Sequence, residues 1–510
     1  MTASPNANLF ARLFGDLGDP ARVAIETAGG RRISYGELVE FSARTANHLL
    51  ARGVKAGDRV AAQTEKSASA LVLYLATVRM GAVYLPLNTA YTLNELEYFF
   101  GDSEPSLIVC DPSKKADIEA IASKIGAKVD TLDAEGHGSL SEGAKQSSPQ
   151  FATVPRADDD LAAILYTSGT TGRSKGAMLT HDNLASNALT LKDVWRFTSN
   201  DVLIHALPIY HTHGLFVASN VTLFSRAAMI FLPKLDPELI IKLMPRATVL
   251  MGVPTFYTRL LQSPNLTKES TAHMRLFISG SAPLLAETHR EWSARTGHAV
   301  LERYGMTETN MNTSNPYDGE RVPGAVGFPL PGVLARVTDP ETGKELARDE
   351  IGMIEVRGPN VFKGYWRMPE KTEAEFRKDG FFITGDLGKI DSKGYVHIVG
   401  RGKDLVISGG FNVYPKEIES EIDAIPGVIE SAVIGVPHAD FGEGVTAVVV
   451  CDKAAKLSEA SVLGALDGRL AKFKLPKRVL FVDELPRNTM GKVQKNVLRD
   501  TYAALYAKAS

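Results

Sequence analysis

The chain has few cysteines and no long uninterrupted apolar run, and each shortage excludes a class of protein. Cys110 and Cys451 are the only cysteines among 510 residues, and neither belongs to a CxxC or Cys/His cluster. A disulfide scaffold and a zinc site therefore both lack ligands, and a reducing compartment fits. The most apolar stretch, residues 70–87, is interrupted by Arg79 and Pro86. It falls short of the roughly 20 apolar residues that cross a bilayer.

An excess of charge of one sign is also missing. Lys+Arg number 57 and Asp+Glu 59, for a net charge of −2. This balance does not favour general nucleic-acid binding, which needs a basic surface. Residues 1–14 contain no basic segment followed by an apolar one, so we expect no secretory leader. The expected compartment is the cytoplasm, with no membrane, nucleic-acid or obligate protein partner.

An average composition and the chain length predict a globular protein of several units. Hydrophobic residues make up 44% and charged residues 23% of the chain, which excludes disordered, collagen-like and rod-like proteins. The length corresponds to about three or four domains or subdomains. Helical and strand-like patterns alternate up to about residue 280, which predicts an α/β fold of parallel layers. The predicted helix covers 35–52, and the predicted strands cover 59–63, 83–87, 106–110, 161–166 and 277–279.

The pattern changes after residue 332 to short strands between glycine-rich turns. Strands at 334–338, 352–357 and 394–398 predict a smaller β-rich module. Beyond Arg401, another unit is predicted, with a helix at 415–422 and strands at 431–434 and 445–450. Residues 451–510 carry 12 Lys+Arg against 6 Asp+Glu, for which a solvated helical face is the simplest explanation. Residues 133–154, rich in Gly, Ser and Lys, predict a surface connection.

The densest motif is a loop rich in glycine and hydroxyl groups that follows the apolar run 161–165. Residues 166–176 read Tyr-Thr-Ser-Gly-Thr-Thr-Gly-Arg-Ser-Lys-Gly. Glycines allow close backbone approach, so N–H and hydroxyl groups of such a loop can surround polyphosphate oxygens, and Lys175 can add a positive charge. The spacing is not that of a Walker A loop. A flexible hairpin loop is the alternative, which three glycines, five Ser/Thr hydroxyls and two cations in eleven residues disfavour.

This loop and four later segments resemble, in order, the motifs of the acyl-adenylate-forming superfamily. The later segments are Tyr-Gly-Met-Thr-Glu at 304–308, Thr-Gly-Asp at 384–386, Gly-Arg-Gly-Lys-Asp at 400–404 and Pro-Arg-Asn-Thr-Met-Gly-Lys at 486–492. The superfamily includes acyl-CoA synthetases, luciferases and the adenylation domains of peptide synthetases. The resemblance covers nearly the whole chain and implies an enzyme that uses ATP, Mg²⁺ and a thiol such as coenzyme A. Such an enzyme joins a carboxylate to AMP, releases pyrophosphate and passes the acyl group to the thiol.

The resemblance also implies roles for residues that contact ATP. Glu308 matches the Mg²⁺ contact, Thr307 the contact to the α-phosphate, and Asp386 and Arg401 the ribose pair. Tyr304 matches the residue that stacks on adenine. Taken alone, Glu308 could cap a helix and Asp386 could belong to a turn. The remaining implied ATP or AMP contacts are Thr167, Ser168, Gly169, Thr170, Thr171, Gly172, Lys175, Gly280, Ser281, Ala282, Pro283 and Gly305.

The C-terminal motifs imply a movable catalytic domain. Lys492 matches the lysine that stabilises the adenylation transition state, and Lys403 matches the family's hinge. The implied division is a large N-terminal domain, residues 1–402, made of α/β subdomains with the β-rich module, and a small mobile α+β domain, residues 403–510. Ser408, Gly409 and Gly410 are implied to admit the pantetheine arm of coenzyme A. The excess positive charge of this domain could steer the phosphates of coenzyme A.

Arg303 is the main indication of which acid is activated. Related enzymes for fatty or aromatic acids usually have a small residue at this position, whereas a guanidinium could bind a second carboxylate. The alternative for Arg303 is an ion pair with Glu302 or another acid. Arg259 is a second candidate for the carboxylate, with a solvent-facing arginine equally open. Further residues assigned to the acid pocket are His211, also counted as catalytic, Thr212, Met306 and Met311.

The segments 208–214 and 302–308 are similar to those of malonyl-CoA synthetases, some of which accept methylmalonate. The resemblance implies ligation of malonate, and also of methylmalonate, to coenzyme A. The alternatives are a synthetase for another short, medium-chain or aryl acid, a module that loads a carrier protein, and a non-catalytic homologue. The last would be expected to lack Lys492 or Glu308, and both are present.

Overall fold

The computed structural model describes residues 6–167, 174–408, 411–438, 441–467, 469–470, 472–488 and 491–506. The strands are β1 Val23–Thr27, β2 Arg32–Ser34, β3 Arg59–Gln63, β4 Val83–Pro86, β5 Leu107–Cys110, β6 Lys128–Thr131, β7 Leu161–Thr167, β8 Lys175–Thr180, β9 Val202–His205, β10 Ala228–Phe231, β11 Val249–Gly252, β12 Leu276–Ser279, β13 Leu301–Met306, β14 Asn310–Ser314, β15 Phe328–Pro329, β16 Leu334–Thr338, β17 Gly352–Arg357, β18 Gly364–Tyr365, β19 Phe382–Ile390, β20 Val396–Arg401, β21 Val406–Ser408, β22 Phe411–Val413, β23 Val428–His438, β24 Gly442–Cys451 and β25 Arg478–Phe481.

The α-helices are α1 Leu9–Phe14, α2 Tyr35–Ala51, α3 Ala68–Arg79, α4 Leu93–Ser103, α5 Lys115–Ile125, α6 Ser139–Lys145, α7 His181–Val194, α8 Asn220–Phe224, α9 Pro237–Leu243, α10 Pro254–Leu261, α11 Ala286–Thr296, α12 Pro369–Ala374, α13 Pro415–Asp423, α14 Glu459–Leu466 and α15 Lys495–Thr501. A π-helix covers His213–Ser219. Short 3₁₀ turns cover Pro112–Lys114, Met244–Arg246, Gly402–Asp404, Lys453–Ala455 and Lys472–Lys474.

Two large sheets form the N-terminal part of the molecule. One has the strand order β18-β8-β7-β4-β3-β5-β6, and the other β15-β14-β13-β12-β11-β9-β10-β1-β2. Pairing is parallel from β7 to β6 and from β13 to β1. This arrangement follows from the alternation of strands and helices in the sequence, because parallel neighbours need crossover connections.

One continuous apolar core joins the two large sheets, and α3 lies within it. Nearly every residue of α3 is buried, including both Leu71 and Leu75. A helix that is apolar all round belongs in an interior. In the part of the chain that the structure describes, every helix is too short or too polar to span a membrane.

Two further sheets complete the molecule. The β-rich module is the antiparallel sheet β16-β17-β19-β20, and the C-terminal sheet has the order β22-β21-β24-β23, with β25 parallel to β24. The C-terminal sheet has its own apolar clusters on both faces. The ion pair of Arg499 with Asp404, at 2.9 Å, ties α15 to the turn at which this part begins.

Two predictions about elements need correction. Residues 133–154 are not only a connection, because α6 packs on α2 there, with Leu140 and Ala144 buried. The last strand of the β-rich module covers Val396–Arg401 instead of 394–398, since its register is set by pairing with β19, which places Arg401 opposite Asp386. Cys110 and Cys451 are both free and lie on different sheets.

Candidate active site

The candidate site lies where the parallel strands of the second sheet end. The loop 206–212 follows β9, the turn 280–283 follows β12, and Arg303 to Met306 form the end of β13. The carboxyl ends of parallel strands meet at one edge of a sheet, where ligands of open α/β folds bind. Ser281, in the turn after β12, has a φ of +72°. Such a conformation is unfavourable for a residue other than glycine and is often found at functional sites.

Arg303 lies buried in this site, with no acidic partner among the residues that the structure describes. The residue is only 3% exposed, and its Nε and Nη2 atoms have no hydrogen-bond partner among the described residues. Burial lowers the pKa of Arg303 to about 9. Its guanidinium packs on Gly280, where an added Cβ would lie 2.5 Å from Cζ. The alternative ion pair with Glu302 is excluded, because that carboxylate contacts His289 at 3.0 Å and the Gly324 N–H.

The loop after β9 and the start of the π-helix form a wall beside Arg303. The N–H of His213 donates to Nδ1 of His211 at 3.3 Å, which leaves the proton of the neutral imidazole of His211 on Nε2. Nδ1 of His213 lies 3.3 Å from the Ser281 hydroxyl. Within the described part of the chain, the buried atoms Oγ1 of Thr212, Nε2 of His213 and Oγ of Ser279 have no hydrogen-bond partner. These atoms are therefore available for hydrogen bonds to a bound ligand.

Basic groups surround this pocket. Burial, followed by the positive charges of Lys492 and Arg303, lowers the pKa of His211 to about 3. The pKa of His213 is lowered first by burial and then by Arg303 and the neighbouring histidines. These low pKa values show that the two imidazoles remain neutral beside the cations. The pocket therefore offers hydrogen-bond donors and positive charge to an anion.

A second group of residues fits the ribose of a nucleotide. Arg401 lies 2.7 Å from Asp386 through Nε and Oδ1, and the Tyr304 hydroxyl donates to Oδ2 of Asp386 at 2.5 Å. Pairing of β19 with β20 places Asp386 and Arg401 opposite each other. Burial and the Asp386 charge raise the pKa of Tyr304 far above its usual range, so the hydroxyl stays protonated. Asp386 can accept hydrogen bonds from ribose hydroxyls while Arg401 balances its charge.

A third group surrounds Glu308 and includes two residues that the sequence analysis missed. The Tyr365 hydroxyl lies 3.1 Å from Oε1 of Glu308 and 2.6 Å from Oε2 of Glu375. Glu375 pairs with Lys175 at 3.1 Å and with Lys371 at 2.8 Å. Nothing in the sequence distinguished Glu375 from the other acidic residues nearby, and Tyr365 belonged to no motif that we interpreted. The network holds Lys175 at the end of the phosphate-loop motif.

The single carboxylate of Glu308 fits a Mg²⁺ ion that is bound together with a nucleotide. Glu308 is buried, and burial raises its pKa while the Tyr365 hydroxyl lowers it. Among the described residues no cluster of three His, Cys, Asp or Glu side chains could hold a metal alone. Mg²⁺ is commonly bound by one or two carboxylates together with substrate phosphates and water. Glu308 would then supply the protein ligand, and ATP the others.

Lys492 faces the same cleft from the C-terminal part. The residue is exposed, but its ammonium is close enough to the charged groups of the site for each to shift the pKa of the other. Loss of hydration and the positive charge of Arg401 lower the pKa of Lys492, whereas Asp386 and Glu308 raise it. The ammonium of Lys492 therefore lies within electrostatic range of both the ribose pair and the pocket of Arg303.

Two models of known protein families match this chain, one in each part. The family model described as "AMP-binding enzyme" matches residues 17–366, and the one described as "AMP-binding enzyme C-terminal domain" matches residues 417–492. The chain belongs to the AMP-binding enzyme family. This membership confirms the resemblance to the acyl-adenylate-forming superfamily and the α/β fold predicted from the sequence.

Relatives within the AMP-binding enzyme family are similar over almost the full chain. A malonate–CoA ligase of Arabidopsis thaliana is 35% identical over 94% of this chain and 86% of its own length. ATP-bound MatB from Rhodopseudomonas palustris is 78% identical, with a TM-score of 0.97 over 98% of this chain and 100% of that chain. Apo MatB from the same organism, at the same identity and coverage, has a TM-score of 0.86. This chain is therefore closer in arrangement to the ATP-bound neighbour.

Other predicted site residues are placed as follows. Thr307, Gly305 and Met306 lie on or next to β13, and Cε of Met311 lies 2.6 Å from where a Cβ on Gly305 would be. Ala282 and Pro283 follow Ser281 in the turn after β12. Thr167 ends β7. The predicted contacts Ser168, Gly169, Thr170, Thr171, Gly172, Gly409 and Gly410 lie outside the described residues.

Three predicted residues lie away from the pocket or at its border. Arg259 is exposed on α10, which favours the solvent-facing interpretation over a contact with the acid. Ser408 is buried at the end of β21, in the C-terminal sheet. Lys403 is exposed in the turn Gly402–Asp404 that joins β20 to β21. Its role as a hinge stays a prediction.

Proposed function

We propose that the chain ligates malonate to coenzyme A through a malonyl-adenylate, with AMP and pyrophosphate as the other products. The observation that carries the choice of acid is Arg303, a buried guanidinium with unpaired nitrogens at the end of β13. A buried cation of this kind requires an anionic partner. The malonate–CoA ligase relative supports the same substrate. Malonate has one carboxylate to react and a second to bind Arg303.

In the first half reaction, one carboxylate oxygen attacks the α-phosphorus of ATP, and the bond to the bridging oxygen of pyrophosphate breaks. Arg303 binds the other carboxylate, with Thr212 and His213 as neighbouring donors, and so orients the reacting end. Lys492 and Thr307 offset the negative charge that develops on the α-phosphate. Charge stabilisation by fixed donors is the main source of such rate acceleration.

The nucleotide is held by the other groups of the site. Asp386, with Arg401 as its counter-ion, accepts the ribose hydroxyls, and Tyr304 stacks on adenine. Ser168, Thr170, Thr171 and Lys175 bind the leaving phosphates. When bound at Glu308, Mg²⁺ would neutralise phosphate charge.

In the second half reaction, the thiolate of coenzyme A attacks the acyl carbon and AMP leaves. We propose that rotation of residues 403–510 about Lys403 removes Lys492 from the site and presents the segment 408–410 to the pantetheine arm. One site can then perform two chemistries in sequence. The difference between the two MatB neighbours, with TM-scores of 0.97 and 0.86, supports a family member with more than one arrangement.

Methylmalonate is proposed as a second substrate. Thr212, Met306 and Met311 would surround the carbon between the two carboxylates. One methyl group in an apolar pocket changes the free-energy difference between two competing substrates by only about 1–3 kcal/mol. We therefore expect malonate and methylmalonate to differ less from each other than either differs from a monocarboxylate.

The function is tested by pyrophosphate release from ATP, measured with coenzyme A and one acid at a time. The acids are malonate, methylmalonate, acetate, octanoate and benzoate. We expect malonate to give a far higher kcat/KM than acetate, because acetate lacks the group that binds Arg303. Octanoate or benzoate as the best acid would retain an acyl-CoA synthetase but contradict the proposed substrate.

A further inference from the structure

A buried lysine lies behind the wall of the acid pocket. Lys66 follows β3 of the first sheet and reaches the strand ends of the second sheet. Its Nζ lies 2.9 Å from Nδ1 and 2.7 Å from the carbonyl oxygen of His205, and 4.2 Å from the ring centre of Phe231. It is 9% exposed and forms no ion pair with a carboxylate among the described residues. Three contacts to β9 and β10 thus engage one buried amine, and burial lowers the pKa of Lys66 well below its usual range.

The second nitrogen of His205 continues the contact toward the pocket. Nε2 faces a carbonyl oxygen, which can only accept, so the neutral ring carries its proton on Nε2 and its Nδ1 accepts from Lys66. Nε2 lies 2.9 Å from the carbonyl oxygen of Gly214 and 3.1 Å from the Ser219 hydroxyl. The Ser219 hydroxyl also donates to the Gly214 carbonyl at 2.9 Å. Lys66 therefore stabilises the same tautomer of His205 that can donate to the Gly214 carbonyl.

Gly214 is the point at which the pocket wall is fixed. A Cβ at this position would lie 2.0 Å from the carbonyl oxygen of Pro208, so the loop and the π-helix meet here without space for a side chain. The N–H of Leu215 donates to the His211 carbonyl at 2.9 Å. The unpaired Thr212 hydroxyl and His213 Nε2 come immediately before Gly214 in the chain. A displacement of Gly214 would move both donors.

We propose that Lys66 is a positioning residue that acts through His205 and Gly214 to hold the Thr212–His213 wall where it accepts the second carboxylate of the acid. The inference rests on the proposed function as a dicarboxylate–CoA ligase. The relay from Lys66 to Gly214 would hold the carboxylate-binding wall from outside the pocket. Misplacement of a binding group by about 1 Å can cost about 100-fold in rate. A relay of short hydrogen bonds limits such movement.

The test uses Lys66→Met, which keeps the length of the side chain and removes its amine. We expect kcat/KM for malonate to fall about tenfold or more, mainly through a higher KM, while kcat/KM for acetate and KM for ATP change by less than about threefold. The matched control is Arg79→Met at the other end of α3. Like Lys66, Arg79 is a buried basic residue that donates to carbonyl oxygens. Its Cζ lies 4.5 Å from the ring centre of Phe10. Arg79 does not contact the relay, so its loss should spare the preference for malonate.

If Lys66→Met lowered kcat/KM for malonate and for acetate by the same factor, or changed neither, the relay would be overturned. If the unchanged enzyme itself prefers acetate, the proposed function fails instead. Should Lys66→Met not fold, His205→Gln and His205→Leu replace it. Glutamine can still donate to the Gly214 carbonyl and is expected to keep most of the malonate preference, whereas leucine loses it. The same preference in both variants would also overturn the relay.

Discussion

Arg303 is a buried guanidinium with no acidic partner in the described part of the chain, and the burial of such a charge is costly. Its neighbours do not relieve the cost, since Glu302 is engaged by His289 and Gly324. The neutral imidazoles of His211 and His213 add donors without adding a competing anion. A second carboxylate on the substrate supplies what the protein lacks. The same arrangement disfavours an acid with an apolar tail.

Another residue-scale consequence concerns His181, which begins α7 and is fully buried. Its Nδ1 accepts the Leu9 N–H at 3.0 Å, and burial lowers the pKa of His181 to about 4. Between pH 6.5 and 4 the unfolded chain binds a proton here that the folded chain does not, so stability falls as the pH falls. By pH 5 the loss from this one group is about 2 kcal/mol.

We predict that His181→Asn makes the thermal unfolding temperature less sensitive to pH between 7 and 5. Asparagine can still accept the Leu9 N–H through its side-chain oxygen but does not titrate. His137→Asn is the control, since the His137 side chain is 74% exposed. An unchanged pH dependence in His181→Asn would contradict the burial of a neutral His181.

The sequence identified Arg303 because a charged residue at an expected small position is visible in a single chain. Tyr365 and Glu375 could not be found in this way. Tyr365 matters through its contact with Glu308, which lies 57 residues earlier in the chain. Glu375 matters through its contact with Lys175, which lies 200 residues earlier. Lys66 was missed for the same reason, because its partner His205 lies on the other sheet.

At the scale of elements, strands and helices with strong periodicity were predicted well. The helix predicted at 35–52 is α2, which begins with a capping box formed by Ser34 and Glu37. The strand predicted at 59–63 is β3. The helix α6 was missed because its composition is that of a loop, and packing against α2 decides its structure. The π-helix His213–Ser219 has no sequence signal that we know, although its first turn forms part of the pocket wall.

At the scale of the whole molecule, Lys492 links the C-terminal part to the first half reaction. We predict that Lys492→Ala slows formation of the adenylate by about 100-fold or more, because a donor to developing phosphate charge is lost. Transfer of the acyl group from preformed adenylate to coenzyme A should change by less than about threefold, since the lysine has left the site in that step. The measurement is each half reaction followed separately by rapid quench.

Lys453→Ala is the matched control for Lys492→Ala. Lys453 also lies in the C-terminal part, where its exposed side chain pairs with the exposed Asp483 at 3.0 Å. Its removal should affect neither half reaction by more than about threefold. If Lys492→Ala slowed both half reactions equally, the two-arrangement account of this enzyme would be wrong.

If Arg303 makes the enzyme selective for a dicarboxylate, Arg303→Met must lower the ratio of kcat/KM for malonate to kcat/KM for acetate. We expect kcat/KM for malonate to fall about 100-fold or more, because a charged hydrogen bond is lost at a buried site, while kcat/KM for acetate is nearly unchanged. Arg290→Met, an exposed arginine paired with Glu287, serves as the control and should keep the original ratio. An equal loss for both acids in Arg303→Met would show that Arg303 supports the fold and does not read the substrate.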